Sequence, residues 1–161
     1  MTDSTLLHEL IAHSAERAPS SNALTLGNES LSYGKLQDSV ESFANGMINL
    51  GLLRGERVAI YLEKRFETVI ASFGVPAAGG VFVPLNPILK PDQVAYILRD
   101  CNVRVLITSV ERLGTLQQVL PSCHDLRSVL VIDSSQKTPE LTSVPCHKWS
   151  DLAVFAKHPC H

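Results

Sequence analysis

Residues 57–84 read RVAIYLEKRFETVIASFGVPAAGGVFVP, and this stretch decides the fold. Two short apolar runs, at 58–62 and 81–84, enclose a segment over 66–78 that has the composition of a buried helix. Neither run alternates apolar with polar residues, which is typical of strands that are covered on both faces. A strand, a helix and a second strand in this order predict a parallel pair joined by a crossover helix.

The same alternation continues on both sides of this stretch. On the carboxyl side it predicts a helix that begins at Pro91, a strand over 103–108, a helix over 110–120 and a strand over 128–132. On the amino side it predicts a helix that ends before Pro19, short strands over 23–26 and 30–33, and an amphipathic helix over 36–48. The sequence therefore predicts a three-layer α/β domain in which a mostly parallel sheet is flanked by helices.

The segment after the last predicted strand differs in composition. Residues 134–145 hold several serines and prolines and few side chains that a core would bury, which is typical of a linker. A last short helix is predicted over 149–157. We therefore divide the chain into an N-terminal subdomain, 1–133, and a linker and tail, 134–161.

The composition excludes several classes of function. The chain has 161 residues, of which 45% are hydrophobic, and its 14 basic and 16 acidic side chains form no run, so nucleic-acid binding has no electrostatic support. Residues 68–89 lack charge, but Gly74, Pro76 and further glycines and prolines interrupt them, which favours a helix, a turn and a strand over a membrane span. The N-terminus lacks the features of a signal peptide, and the four cysteines are predicted to be reduced thiols without a metal, so we expect a cytoplasmic protein.

The sequence carries no motif that assigns a catalytic residue. The phosphate-binding patterns GxxxxGK[ST] and GxGxxG after a strand do not occur in it, nor does the GxSxG elbow of hydrolases. Gly79 and Gly80 precede a strand rather than open a helix, so they predict a tight turn and not a phosphate site. The six histidines form no catalytic set.

Four segments, taken in order and spacing, resemble the opening of the adenylate-forming superfamily of acyl-CoA synthetases, peptide-synthetase adenylation domains and firefly luciferase. They are residues 31–36 (LSYGKL), 44–52 (ANGMINLGL), 55–60 (GERVAI) and 78–87 (AGGVFVPLNP). The resemblance covers residues 6–133 and implies that the fold is the first part of the large N-terminal domain of these enzymes. Residues around NPILKP and ILRDC are most similar to bacterial medium- or long-chain acyl-CoA ligases, including those that accompany exosortase systems.

The resemblance implies an AMP-forming acyl-CoA ligase that joins a carboxylic (fatty) acid to CoA through an acyl-adenylate. The whole enzyme would use ATP, Mg²⁺ and CoA. Family members carry a Ser/Thr/Gly-rich nucleotide loop and a catalytic lysine in a small C-terminal domain, and neither occurs in these 161 residues. We therefore expect the chain alone to be inactive in adenylation and to bind none of these cofactors.

The resemblance also points to an entrance for CoA near the loop after the strand over 81–84. The candidate residues there are Asn86, Pro87, Ile88, Lys90 and Arg112. Some relatives place a nucleotide-contacting arginine directly after Asn-Pro, where this sequence has isoleucine, and either of the two cations could instead meet the CoA phosphates. The alternative is that the first two candidates form a turn and the two cations are solvated surface residues.

Two other functions stay open on the sequence. The chain could be a free-standing partial domain that holds a partner, or a second copy of itself, through an apolar patch beside the predicted strand over 128–132. It could also be a flavodoxin-like binding unit that shares only the strand pattern.

Overall fold

The computed structural model describes residues 6–132 and 143–155. Its helices and strands alternate through most of the chain. In order they are α1 (Glu9–Arg17), β1 (Asn22–Leu26), β2 (Glu29–Ser32), α2 (Tyr33–Asn49), β3 (Arg57–Tyr61), α3 (Phe66–Ala77), β4 (Val81–Pro84), α4 (Pro91–Asp100), β5 (Val103–Ser109), α5 (Val110–Leu116), β6 (Ser128–Ile132), β7 (Cys146–Lys148) and α6 (Trp149–Phe155).

Five of the strands form one parallel sheet in the order β4-β3-β5-β6-β7, and β1 pairs with β2 in a separate antiparallel hairpin. At its centre, Val58 lies opposite Phe82 on one side and Val105 on the other. Every residue of β6 is buried, and β5 is buried at all but one position. The apolar runs without alternation are therefore strands covered on both faces, as the sequence predicted.

Helices cover both faces of the sheet and give the predicted three layers. Alternate residues of β3 point to opposite faces, so Val58 and Ile60 join the core beneath α1, α2, α3 and α6. Ala59 and Tyr61 join the second core, beneath α4 and α5. The α/β class and the parallel sheet are thus confirmed.

Close approach of helices on the first face depends on two glycines. A Cβ on Gly74 in α3 would overlap the ring of Phe43, and a Cβ on Gly46 in α2 would lie 2.8 Å from Cβ of Leu152. The ring of Phe43 also stacks on Trp149, with ring centroids 4.8 Å apart. Gly46 thus lets the backbone of α2 approach that of α6, and Gly74 leaves room on α3 for the Phe43 ring of α2, which bulkier residues would prevent.

The carboxyl-terminal part of the predicted pattern needs two corrections. The helix predicted over 110–120 ends at Leu116, and a 3₁₀ turn follows at Leu120–Ser122. Pro121 explains the early end, because its ring would collide with the carbonyl of residue 117 in a continued helix. Prediction also missed strand β7, which pairs with β6 and takes the edge position, so the strand over 128–132 is not an exposed edge.

Residues 146–155 lie within the segment predicted as linker and tail, and they add β7 and α6 to the packed structure. The helix predicted over 149–157 is observed as α6, and its last two predicted residues lie outside the described residues. The division at residue 133 itself stays a prediction. Helix α3, its following turn and β4 occupy the uncharged stretch over 68–89, and in the described part of the chain no helix is long and apolar enough to cross a bilayer.

Candidate functional site

An open groove of about 480 Å³ lies at the carboxyl edge of the sheet, beyond the ends of β3 and β5. The carboxyl edge is where parallel α/β sheets commonly bind ligands, because the loops after the strands converge there. The groove is lined by Tyr61, Glu63, Leu89, Lys90, Pro91, Glu111, Arg112 and Thr115. It brings together two of the five residues predicted from the sequence, Lys90 and Arg112, and the other three lie in the adjoining loop between β4 and α4.

The side chain of Arg112 is held by three contacts. Helix α5 begins at Val110, with Ser109 as N-cap accepting the Arg112 backbone N–H at 3.3 Å, and this places the side chain over the groove. Its Nε donates to Glu63 Oε2 at 3.1 Å, and its Nη1 donates to the Pro87 carbonyl at 2.7 Å. Its Cζ lies 4.8 Å from the centre of the Tyr61 ring. Arg112 is therefore a half-buried, partnered cation rather than a freely solvated one.

The loop after β4 satisfies its own polar groups. Asn86 Oδ1 accepts the backbone N–H of Ile88 at 3.1 Å, and the Asn86 carbonyl accepts that of Leu89 at 3.1 Å. The Tyr61 hydroxyl donates to the Leu89 carbonyl at 2.8 Å. This geometry is the turn that the sequence suggested at Asn86 and Pro87. It leaves the side chain of Ile88 83% exposed at the tip of the loop.

Lys90 supplies the second cation. It is exposed, directly precedes helix α4, and donates its backbone N–H to Gln93 Oε1 at 2.9 Å. Pro91 fixes the backbone of the first turn of α4. The backbone of Lys90, the N-cap residue, is therefore fixed at the start of that helix. A mobile ammonium on a fixed backbone suits contact with a phosphate as a point charge.

Glu63 carries the negative charge that pairs with the guanidinium of Arg112. Burial by itself would raise the pKa of the Glu63 carboxyl, but hydrogen bonds from its own backbone N–H and from Arg112, with the charges of Arg112 and Arg65, hold that pKa below its ordinary value. The carboxylate is therefore ionised at neutral pH. With Glu111, which also lines the groove, the groove has two acidic and two basic side chains, so only part of its surface can attract an anion.

Two further grooves fit a phosphate-bearing ligand less well. The groove between α2 and α6 is lined by Asp38, Phe43 and Trp149, among others, and includes no Lys or Arg. The surface of the groove between β1 and α3 is mostly apolar, and of its two cations, Lys64 and Arg65, the second is paired with Glu63 and Glu67. The groove at the carboxyl edge therefore remains the candidate site.

The glycine turn before β4 does not fit a nucleotide phosphate. Gly79 and Gly80 donate their backbone N–H groups to the carbonyls of Pro76 and Val75, each at 2.9 Å, which leaves neither amide for a ligand. Gly79 has a φ of 83°, the left-handed conformation that glycine adopts without strain. The turn is structural, as the sequence indicated.

Most of the groove was not singled out from the sequence. Tyr61 and Glu63 come at the end of a predicted strand, and the rule that parallel strands end at one edge was the signal that could have found them. Thr115 and Glu111 carried no such signal, because their place in the groove depends on how α5 packs on the sheet.

Comparison with known proteins identifies the family. The sequence matches the family described as AMP-binding enzyme over residues 11–159, which is most of the chain. The chain belongs to this family. Among curated relatives, tyrocidine synthase 3 of Brevibacillus parabrevis is 32% identical over 77% of the chain. A medium/long-chain-fatty-acid–CoA/3-oxocholest-4-en-26-oate–CoA ligase of Mycolicibacterium smegmatis is 27% identical over 78% of it.

Solved structures of AMP-binding enzymes share the fold. Coronafacic acid ligase from Pectobacterium brasiliense superposes on 93% of the chain with a TM-score of 0.84 at 21% identity. The anthranilate CoA ligase AuaEII superposes on 94% with a TM-score of 0.80 at 22% identity. The chain spans only part of these proteins: 28–29% of the two structures, 23% of the fatty-acid ligase and 2% of the tyrocidine synthase.

Proposed function

We propose that this chain is the first part of the N-terminal domain of an AMP-forming acyl-CoA ligase, and that its groove forms one wall of the CoA entrance. The observation that carries the proposal is the pair of cations, Lys90 and Arg112, at the carboxyl edge of the parallel sheet. The chain that forms this sheet belongs to the AMP-binding family. Similarity to fatty-acid–CoA ligases supports a fatty acid as the carboxylate substrate.

In the proposed reaction, the carboxylate attacks the α-phosphate of ATP and pyrophosphate leaves. The CoA thiolate then attacks the acyl carbon, and AMP leaves with the bonding electron pair. Stabilising charge at phosphorus requires donors and Mg²⁺ around the triphosphate. The residues described here do not provide them, so we propose that the 161-residue chain alone neither forms the adenylate nor binds ATP.

Within that reaction, the proposed role of this chain is to bind and orient CoA. Lys90 is placed to attract a CoA phosphate as the cofactor enters, and Asn86, Pro87 and Ile88 shape the rim beside it. Glu63 keeps Arg112 from extending freely into the groove, because it pairs with the guanidinium. The groove thus has one exposed and one restrained cation.

Two accompanying proposals concern the environment of the chain. We propose that it works in the cytoplasm, where its thiols stay reduced and its substrates occur. We also propose that the isolated 161-residue chain self-associates. Support comes from the edge strand β4, where Val81 is 48% exposed, and from the nearby turn, where Leu53 is 61% exposed.

The test begins with the protein isolated from its native source. We expect an intact mass severalfold larger than 17.6 kDa and carboxylate-dependent exchange of pyrophosphate into ATP. The recombinant 161-residue chain should show no exchange under the same conditions. Exchange by the short chain alone would contradict the proposal that the nucleotide-binding parts lie elsewhere.

One observation favours a second candidate, an adenylation domain of a peptide synthetase. The chain is 32% identical to tyrocidine synthase 3, slightly more than to the fatty-acid ligase. An adenylation domain would activate an amino acid and pass it to a carrier-protein thiol. Failure to form a thioester with free CoA, together with amino-acid-dependent exchange, would select this candidate. The family match leaves the flavodoxin-like alternative without support.

A further inference from the structure

The contacts around the groove join three separate segments of the chain. Glu63 follows β3, Pro87 and Leu89 lie between β4 and α4, and Arg112 belongs to α5. Arg112 contacts the first two segments, and the Tyr61 ring lies beneath its guanidinium. Hydrogen bonds between residues 25 and 49 positions apart in sequence bring these segments to one point.

The loop over 86–89 is tied from outside at two carbonyls. Arg112 Nη1 donates to the Pro87 carbonyl at 2.7 Å, and the Tyr61 hydroxyl donates to the Leu89 carbonyl at 2.8 Å. These two carbonyls flank Ile88, whose side chain is 83% exposed. A short loop anchored on both sides of its tip has few backbone conformations, so the position of the Ile88 backbone is restricted.

We propose that Arg112 is a positioning residue, which acts with Tyr61 to hold the loop over 86–89 and thereby fixes Ile88 and Lys90 at the mouth of the groove. Glu63 in turn orients the guanidinium, since it accepts from Nε and leaves Nη1 directed at the Pro87 carbonyl. The effect on CoA binding rests on the proposed function, whereas the effect on the loop does not.

The first experiment measures backbone amide exchange by NMR in the 161-residue chain and in three variants. In R112Q the amides of Ile88 and Leu89 should exchange at least about tenfold faster, because a charge-assisted anchor is lost. In Y61F they should exchange about fivefold faster, since one neutral hydrogen bond is lost. R99Q is the matched control, because Arg99 bonds Ser122 and not this loop. The amide of Ile107, in the buried strand β5, serves as the internal reference.

Two results would overturn the positioning role. Loop exchange in R112Q could equal that in R99Q, or it could rise by the same factor as exchange at Ile107, which would mean that Arg112 only stabilises the whole domain. If R112Q does not fold, R112K is measured instead. Lysine lacks the planar fork whose separate nitrogens reach Glu63 and the Pro87 carbonyl, so the loop amides should still exchange faster than in R99Q, and equal rates would refute the role.

The second experiment uses the whole ligase that contains this chain. R112Q should raise KM for CoA about tenfold, whereas the control R99Q should leave it at the wild-type value. Faster loop exchange with an unchanged KM for CoA would confirm the positioning role and refute the CoA entrance. Loss of pyrophosphate exchange would show that the residue acts on adenylation and would overturn the inference.

Discussion

Replacing Gly74 by alanine should destabilise the domain, although alanine is the better helix former. Gly74 lies inside α3, where Gly→Ala alone would add about 0.5–1 kcal/mol of stability. A Cβ at this position, however, would overlap Cδ1 of Phe43 and lie 3.1 Å from its Cε1. The Phe43 ring is 3% exposed and stacked on Trp149, so displacing it would disturb that stacking.

The expected magnitude follows from these opposing effects. Forcing one methyl into a packed core costs about 1–3 kcal/mol, which exceeds the gain in helix propensity. We expect the free energy of unfolding to fall by about 1–2 kcal/mol and the Tm to fall by about 3–6 °C for a chain of this size. Gly114→Ala is the matched control. Gly114 is an exposed glycine of α5 with no heavy atom within 4 Å of the added Cβ, so stability should rise by about 0.5–1 kcal/mol.

Urea unfolding followed by fluorescence suits this test, because Trp149 is the only tryptophan and packs against the ring that must move. The denaturation midpoint should fall in G74A and rise in G114A. G74A as stable as wild type, or more so, would refute the reasoning that the Phe43 ring of α2 packs directly on the α3 backbone at Gly74.

Three further outcomes follow from other contacts. Glu56 pairs with Arg104 and Arg127, so Glu56→Gln should cost about 1–2 kcal/mol of unfolding free energy, measured in urea, and no loss would show that solvent screens the pairs. The pKa of Glu63, which faces Arg112, Arg65, Lys90 and Glu111, is lowered in the folded state, so its stabilisation is present above the unfolded pKa and lost as pH falls through the folded one. Wild type should therefore lose its stability advantage over E63Q as the pH falls below the ordinary pKa of a glutamate, and a constant difference would contradict this. Ile88→Arg in the whole ligase should lower KM for CoA severalfold if the rim meets the CoA phosphates, whereas an unchanged KM would contradict the entrance.

The sheet was predictable because most of its strands can be recognised from their own residues. Apolar runs such as that over 58–62 are short, lack alternation and stand between turn residues, and burial on both faces is their physical explanation. Strand β7 has no such run. Its sequence, Cys-His-Lys, is polar, and it is a strand only because it pairs with β6, so composition carried no signal for it.

The candidate site was predictable in part for a similar reason. The resemblance to acyl-CoA ligases pointed to the loop at Asn86 and to the cation Arg112, but it did not reveal the contacts that hold them. The partners of Arg112 lie 25 and 49 positions away, and such pairings depend on tertiary packing rather than on local pattern. The helix predicted to residue 120 failed for a local reason, Pro121, whose effect reaches back a full turn.

The most direct test of the central claim is to search for acyl-CoA thioesters among the products of the whole protein, supplied with ATP, Mg²⁺, CoA and a series of fatty acids. Mass spectrometry should detect a fatty acyl-CoA and an equal amount of AMP. Formation of AMP or of an adenylate without any CoA thioester would contradict the ligase function and direct attention to a carrier-bound acceptor.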